Sequence, residues 1–455
     1  MNLKKKPKKY IFYSALVLFF ILIIFFIAGW IIVDGNYDKQ NRTILFLKKI
    51  IPNSISRKIR DTVFIIPDLK TINKDLSLQV KKYEQGLNGQ LFEERIIYSS
   101  NIKAKIKNYF LPFPRLDVRA GYNSKDNRNR AHYLEIINDK IIVMSGEGKT
   151  IFFEKKNIYE KQLNQIEIKN NLLKEVKFSN NSLAGIRDLF YKNGKLYVSV
   201  IVYNNQQGYS YNIYYASFNL DRLNFELIFE TKTYFKNWSV SSGGRIEDFG
   251  EDKILFSYGF SDVDKVAQDK NSLLGKIISI NLITKEYEII SLGHRNPQGL
   301  QFIKDKNLII NSEHGPKGGD EINFNYYKNN KETNFGWDVA SYGINYDGTD
   351  PYKKSHKAYN FVEPFKVYPT SIGISEIYFL EKNESFLNKN TLVVSSLRAG
   401  SLYVLELDDN LNKIDKETRI YIGNERIRDL KYDKRLKTFF LIFEMTPSIS
   451  AITID

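Results

Sequence analysis

NDKIIVMS at 138–145, NGKLYVSV at 193–200, EDKILFSY at 251–258, DKNLIINS at 305–312, KNTLVVSS at 389–396 and LKTFFLIF at 436–443 are six versions of one phrase. Each is a polar turn running into a short strand of β-branched, aliphatic or aromatic residues. The first apolar strand positions are Ile141, Leu196, Ile254, Leu308, Leu392 and Phe439, separated by 55, 58, 54, 84 and 47 residues. Several copies carry a second strand after a bend, as in LLGKIISINL (273–282) and GSLYVLELD (400–408). A repeat of roughly 50 residues made of a few short strands is a propeller blade. One blade alone leaves a sheet face bare, and a ring of blades covers both faces. Six copies therefore predict an all-β, six-bladed β-propeller over 111–455. The rival, a pair of β-sandwiches, does not need six similar units. The 84-residue interval must hold an inserted loop.

Outward from the repeat, the composition is that of a globular chain, 43% hydrophobic and 26% charged, rich in Tyr and Phe and without cysteine. The missing cysteines exclude disulfides, thiolate metal sites and cysteine nucleophiles. Net charge is +15, and Lys4, Lys5, Lys6, Lys8 and Lys9 crowd the first nine residues. The other cations are interspersed with acids and form no stripe, so no nucleic-acid partner is expected. Ile11 to Val33 is an uncharged run of Phe, Ile and Leu. As a helix it reaches about 34 Å, enough for a ~30 Å hydrocarbon core. No A-x-A cleavage site follows it, although a cleaved signal is the alternative. The expected layout is a cytoplasmic basic tail (1–9), a transmembrane signal anchor (10–33), a stalk or cap (34–110) and the propeller (111–455). The positive-inside rule puts the N-terminus in the cytoplasm, the helix in the inner membrane and the propeller in the periplasm. Leu45–Ile59 and Leu76–Ile97 read as amphipathic helical patches of a short stalk, the first interrupted by Pro52.

Three segments carry chemistry: GHRNPQGL (293–300), EHGPKGGDEIN (313–323) and NFGW (334–337). They place Arg, Asn, His and carboxylates on Gly/Pro-bearing loops that leave strands. Glycines let backbone carbonyls approach a ligand closely. Carbonyl and carboxylate oxygens are what a hard cation such as Ca²⁺ takes, and arginine beside them fits an anionic, planar partner. GEGKT (146–150) lacks the first glycine of a P-loop and reads as a hairpin turn.

These segments, in this order, resemble the glucose/sorbosone dehydrogenase family, the soluble-type PQQ-dependent aldose sugar dehydrogenases. AQDKNSLLGKI (267–277), SSLRAGSLY (395–403) and ERIRDL (425–430) add to the likeness, which covers about residues 111–455. The resemblance implies a six-bladed propeller that binds PQQ and Ca²⁺ and oxidises an aldose sugar or related polyol. It implies that Arg295 and Asn296 contact the quinone oxygens and that His314 contacts the cofactor. The carbonyls of Gly315 and Pro316 would hold Ca²⁺, and Arg398, Arg426 and Arg428 would face the PQQ carboxylates. Glu321 and the carbonyl of Phe335 match a second, structural calcium position, and Asn180 is a further cofactor contact on a looser alignment.

The family's base histidine lies in an H-x-G-G-R segment, which here reads Ser241-Ser242-Gly243-Gly244-Arg245. A serine hydroxyl at position 241 cannot take a proton at neutral pH without activation. His132, His356, Glu247 and Asp248 are the other candidates for a base; the bland reading makes them core, surface or solvated turn residues. The expectation is a membrane-anchored PQQ-dependent dehydrogenase. The alternative is a non-catalytic propeller that binds a sugar, a quinone or a protein.

Overall fold

The computed structural model describes residues 88–100, 102–113, 131–176, 185–204, 206–235, 243–259, 265–328 and 332–454. The chain divides into two units, 1–82 and 83–455, and every described residue belongs to the second. The basic tail, the anchor at 10–33 and the stalk residues up to 87 lie outside the described residues, as do Asn180 and Ser241. Among the described residues no helix is long and apolar enough to cross a membrane.

The described residues form a six-bladed propeller, one sheet per blade. The innermost strands, in blade order, are His132–Ile137, Gly185–Lys192, Gly243–Asp248, Pro297–Ile303, Ile374–Leu380 and Ile427–Asp433. Each packs against the inner strands of its two neighbours, and the sixth returns to the first. The recurring phrase of the sequence is the second strand of every blade: Lys140–Ser145, Lys195–Asn204, Lys253–Tyr258, Leu308–Glu313, Asn390–Ser396 and Thr438–Phe443.

Alternation explains why these strands are apolar on both faces. Ile142 and Met144 join the cluster between blades 1 and 2, while Ile141 and Val143 join the one between blades 6 and 1. Phe439, Leu441 and Phe443 likewise face blade 5, and Phe440 and Ile442 face blade 1. Three further clusters fill the seams between blades 2 and 3, 3 and 4, and 4 and 5. At roughly 1.5–3 kcal/mol for each fully buried large apolar side chain, these six seams are the main favourable term holding the ring.

The sixth blade is closed by both ends of the propeller. Its strands Ile427–Asp433, Thr438–Phe443 and Ser448–Ile454 are joined by Ile102–Phe110 and then Leu91–Ser99. This corrects the helical reading of Leu76–Ile97 over its last residues, and it extends the propeller N-terminal to position 111. Ile102, Ala104 and Ile106 alternate with exposed lysines, a strand pattern that seats the three apolar residues on blade 5. The long fourth interval is an insertion between Asp320–Tyr326 and Lys366–Tyr368 of blade 4, and its Thr333–Asn334 adds a short parallel strand to blade 3. GEGKT is the turn joining two strands of blade 1, with Gly148 N donating to Ser145 O.

Candidate functional site

A second strand runs antiparallel to the first, so the loop after it lies beside the start of the inner strand. The segments preceding the inner strands and the loops between second and third strands therefore share one mouth of the propeller. Arg295, Asn296, His314, Gly315, Pro316, Arg398 and Arg426 fall in these stretches, and Arg428 is the second residue of an inner strand at the same end.

The GHRNPQGL segment is fixed from below. His294 is fully buried, with Nε2 2.8 Å from Ser291 Oγ and Nδ1 3.2 Å from Glu313 Oε1. The other Glu313 oxygen accepts from Arg295 N at 2.7 Å. His294 thus orients the loop. The NFGW turn seals the segment from the side: Trp337 N donates to Gly293 O, and Gln268 bridges Asn334 Oδ1 and Trp337 O.

Arg295 Nη1 donates to Gly315 O at 2.8 Å and His314 O at 3.2 Å, and its guanidinium lies 5.3 Å from the Trp337 ring. Burial lowers its pKa, and among the described residues the guanidinium's hydrogen-bond partners are carbonyls rather than a carboxylate. His314 is anchored through Nε2 on Ile374 O and through its backbone N on Asn296 O. Burial also depresses the His314 pKa, which favours the neutral ring. Asp320 accepts from Gly315 N, Ser371 Oγ, Gly373 N and Ile374 N, so the EHGPKGGD loop is tied to the start of blade 5. A Cβ on Gly315 would stand 2.2 Å from Gly318 O and 2.3 Å from Gly319 O. Only glycine lets those carbonyls crowd this point.

Across the mouth, Glu444 receives Arg426 Nε at 2.8 Å and also Arg428 Nε. Burial raises the Glu444 pKa, but the two arginines outweigh it and hold it at about 2. Arg398 is exposed on the loop after Asn390–Ser396, and its backbone N is fixed by Ile372 O. Arg426 and Arg428 thus stand at this mouth around the Glu444 carboxylate, with Arg295 and Arg398 on its loops, while Glu425, which accepts from Thr446 N, and Glu313 beneath are further acids there. Such a mouth suits an anionic ligand.

Below the mouth lies a plug that sequence reading did not find. Arg245 Nη1 is within 3.0 Å of Asp188, Glu376 and Asp429, carboxylates from three other blades. Its Nε donates to Gln298 O and its Nη2 to Arg428 O, and the Tyr133 ring of blade 1 lies 5.2 Å away. One guanidinium therefore touches all six inner strands. Lys431 and Glu135 pair further along the axis. Register breaks at Ile186/Asp188, Gly243/Ile246, Pro297/Gly299, Ile374/Ile377 and Ile427/Asp429 mark β-bulges near the mouth in five blades. The residues they set aside include Arg187, Arg245, Gln298, Glu376 and Arg428. Bulges re-aim side chains, and here they gather polar groups on the axis.

The candidate bases separate. Glu247 is on the inner strand, not in a turn as its bland reading had it. It lies two residues beyond Arg245 and so on the far side of the plug from the mouth. Burial and the facing Glu376, Asp248 and Glu135 outweigh Lys431 and raise its pKa to about 8. Asp248 pairs with Lys192. His356 stacks on Tyr342 behind the Gly336 turn, 3.6 Å from Glu363. His132 is buried against Phe113. Gly243 N, two residues beyond Ser241, donates to Asn296 Oδ1 at 3.2 Å.

Glu321 is buried in the third strand of blade 4, and burial with the neighbouring Glu313 and Asp320 raises its pKa strongly. Among the described residues no group of three or more His, Asp or Glu converges as a metal site. A cavity of about 730 Å³ opens at the opposite mouth, lined by Tyr191, Tyr378, Tyr432 and Lys431 among others, and contains none of the site residues named from sequence.

The sequence profile described as Glucose / Sorbosone dehydrogenase matches residues 135–444. Aldose sugar dehydrogenase YliI of Escherichia coli (strain K12) is 30% identical over 204 residues, 42% of this chain and 53% of that protein. Quinoprotein glucose dehydrogenase B of Acinetobacter calcoaceticus is 26% identical over 226 residues, 36% of this chain and 46% of that protein. The chain thus spans about half the length of the curated relatives it matches. Two solved structures share the fold. The apo-form of the soluble aldose sugar dehydrogenase from Escherichia coli superposes with TM-score 0.57 at 19% identity, covering 71% of this chain and 95% of that one. The PQQ-bound form of aldose sugar dehydrogenase from Streptomyces coelicolor gives 0.54 at 18% identity, covering 77% and 99%. With the profile matched across most of the propeller, the chain belongs to the glucose/sorbosone dehydrogenase family.

Proposed function

We propose that this chain is a membrane-anchored, PQQ-dependent dehydrogenase that oxidises aldose sugars or related polyols. The observation that carries the reading is the gathering of Arg295, Arg398, Arg426 and Arg428 at one mouth, with Glu444 clamped between Arg426 and Arg428. A planar tricarboxylate matches that charge pattern. PQQ supplies, when bound, a quinone that accepts a hydride.

The chain's own part is binding and orientation. Arg398, Arg426 and Arg428 are the groups for the carboxylates, and Asn180 is a further contact. Arg295 and Asn296 offer donors to the quinone oxygens, and neutral His314 packs beside them. For Ca²⁺ the donor set is mixed. The Gly315 carbonyl already accepts from Arg295, so a cation held by Gly315 and Pro316 requires the guanidinium to shift. Glu321 fits better: a buried carboxylate facing Glu313 and Asp320 is relieved by a cation. Glu321 with the Phe335 carbonyl is the position we assign to structural calcium.

Ser241 stands where the family's base histidine is expected, and a serine there favours a second reading, a non-catalytic propeller that binds a sugar, a quinone or a protein. Dye reduction by purified protein with PQQ, Ca²⁺ and a panel of aldoses decides between them. The enzyme reading expects slow sugar-dependent turnover, rising about 10²–10⁴-fold in Ser241→His. Silence in both proteins would leave only the binding reading. The uncharged run 11–33 supports placement in the inner membrane, with the N-terminus in the cytoplasm and the propeller in the periplasm. Protease digestion of spheroplasts checks this: the propeller should be cleaved and a cytoplasmic marker spared.

A further inference from the structure

We infer that Gln298, its own amide fixed by Arg428, is a positioning residue that sets the polarity of Asn296; the inference rests on the PQQ reading above. Gln298 is the residue left out of the ladder by the bulge between Pro297 and Gly299. The bulge turns its side chain from the sheet face to the axis, where it is 8% exposed. There it joins two candidate ligand groups. Arg428 Nη1 donates to Gln298 Oε1 at 2.7 Å, and Gln298 Nε2 donates to Asn296 Oδ1 at 2.8 Å.

The direction of this relay is forced by chemistry. A guanidinium has donors and no acceptor. The amide oxygen of Gln298 must therefore face Arg428, and its NH₂ must face Asn296. Asn296 answers with Oδ1, which also accepts from Gly243 N at 3.2 Å. With Oδ1 engaged by these two donors, the amide is oriented with Nδ2, a donor, on its other side, and that is the polarity a ligand there would meet. A quinone oxygen requires that polarity, and a flipped amide would present an acceptor and repel it. The relay is anchored at both ends of its backbone. Arg245 Nε holds Gln298 O at 2.6 Å, and Arg245 Nη2 holds Arg428 O at 3.0 Å. The register of blade 3 against blades 4 and 6 is thereby transmitted to Asn296 and Arg428.

The test is a double-mutant cycle read as the Kd for PQQ, from absorbance titration of the full chain, with thermal melting alongside. Gln298→Leu should weaken PQQ about tenfold, the scale of one misdirected polar contact. In an Asn296→Ala background, where the amide to be oriented is gone, the same change should cost less than about threefold. A packing role alone would give the full loss in both backgrounds, and that result overturns the inference. So does wild-type affinity in a Gln298→Leu protein that melts normally. If Gln298→Leu does not fold, Gln298→Glu takes its place in the cycle. It keeps an acceptor for Arg428 but cannot donate to Asn296, and the same non-additivity is expected. A wild-type chain that binds no PQQ at micromolar concentration sinks the PQQ reading itself and this role with it. Wild-type binding with an additive cycle removes only the role of Gln298.

Discussion

Glu444 is the acid on which the arginine side of the mouth is built, and its behaviour with pH follows from its partners. Arg426 and Arg428 hold its folded pKa at about 2, against 4.5 for an unperturbed carboxyl. A depressed carboxylate contributes stability above its unfolded pKa and loses it as pH falls through the folded value. Glu444→Gln should therefore be less stable than wild type at pH 7 by up to about 3 kcal/mol. The gap should close between about pH 4.5 and 2; urea titrations across that range check it. Arg398, Arg295 and the RIRD segment stand out as candidates in the sequence because each sits in a motif. Arg245's partners do not: Asp188, Glu376 and Asp429 come from three blades, and nothing local marks residues so far apart as neighbours.

The element that matters most is the inner strand with its bulge. In blade 3 the bulge depends on Gly244, with φ +110° and no room for a side chain: a Cβ would lie 2.5 Å from Arg187 Cβ and 2.8 Å from Tyr211 Oη. Gly244→Ala should cost about 1–3 kcal/mol from strain and overpacking, and should displace Arg187 and Arg245 together. A lower melting temperature, with PQQ affinity reduced at temperatures where the variant is still folded, is the expected result. Second strands were easy to read because both their faces are apolar. Inner strands were not, since bulges break their alternation and place charge where a core residue is expected.

At the scale of the whole molecule, the ring is closed by a hairpin from outside the repeat. Leu91–Phe110 covers the edge of Ser448–Ile454 through seven paired positions from Ala104/Ile454 to Phe110/Ser448. Its deletion bares a paired edge and part of two seams, an arrangement prone to association between chains. A chain lacking 91–110 should be aggregated or fail to unfold cooperatively, as read by size-exclusion chromatography and calorimetry. The hairpin escaped sequence reading because its first strand, LFEERIIYS, has no clean alternation and lies beside a segment with helical spacing.

The central claim is that Arg295, Asn296, Arg398, Arg426 and Arg428 form one PQQ site at the mouth of the propeller. A crystal structure of the chain with PQQ tests it most directly. The account predicts the tricarboxylate in that mouth, with its carboxylates on Arg398, Arg426 and Arg428 and its quinone edge on Arg295 and Asn296. PQQ bound at the opposite cavity, or an unoccupied mouth at saturating PQQ, would contradict it.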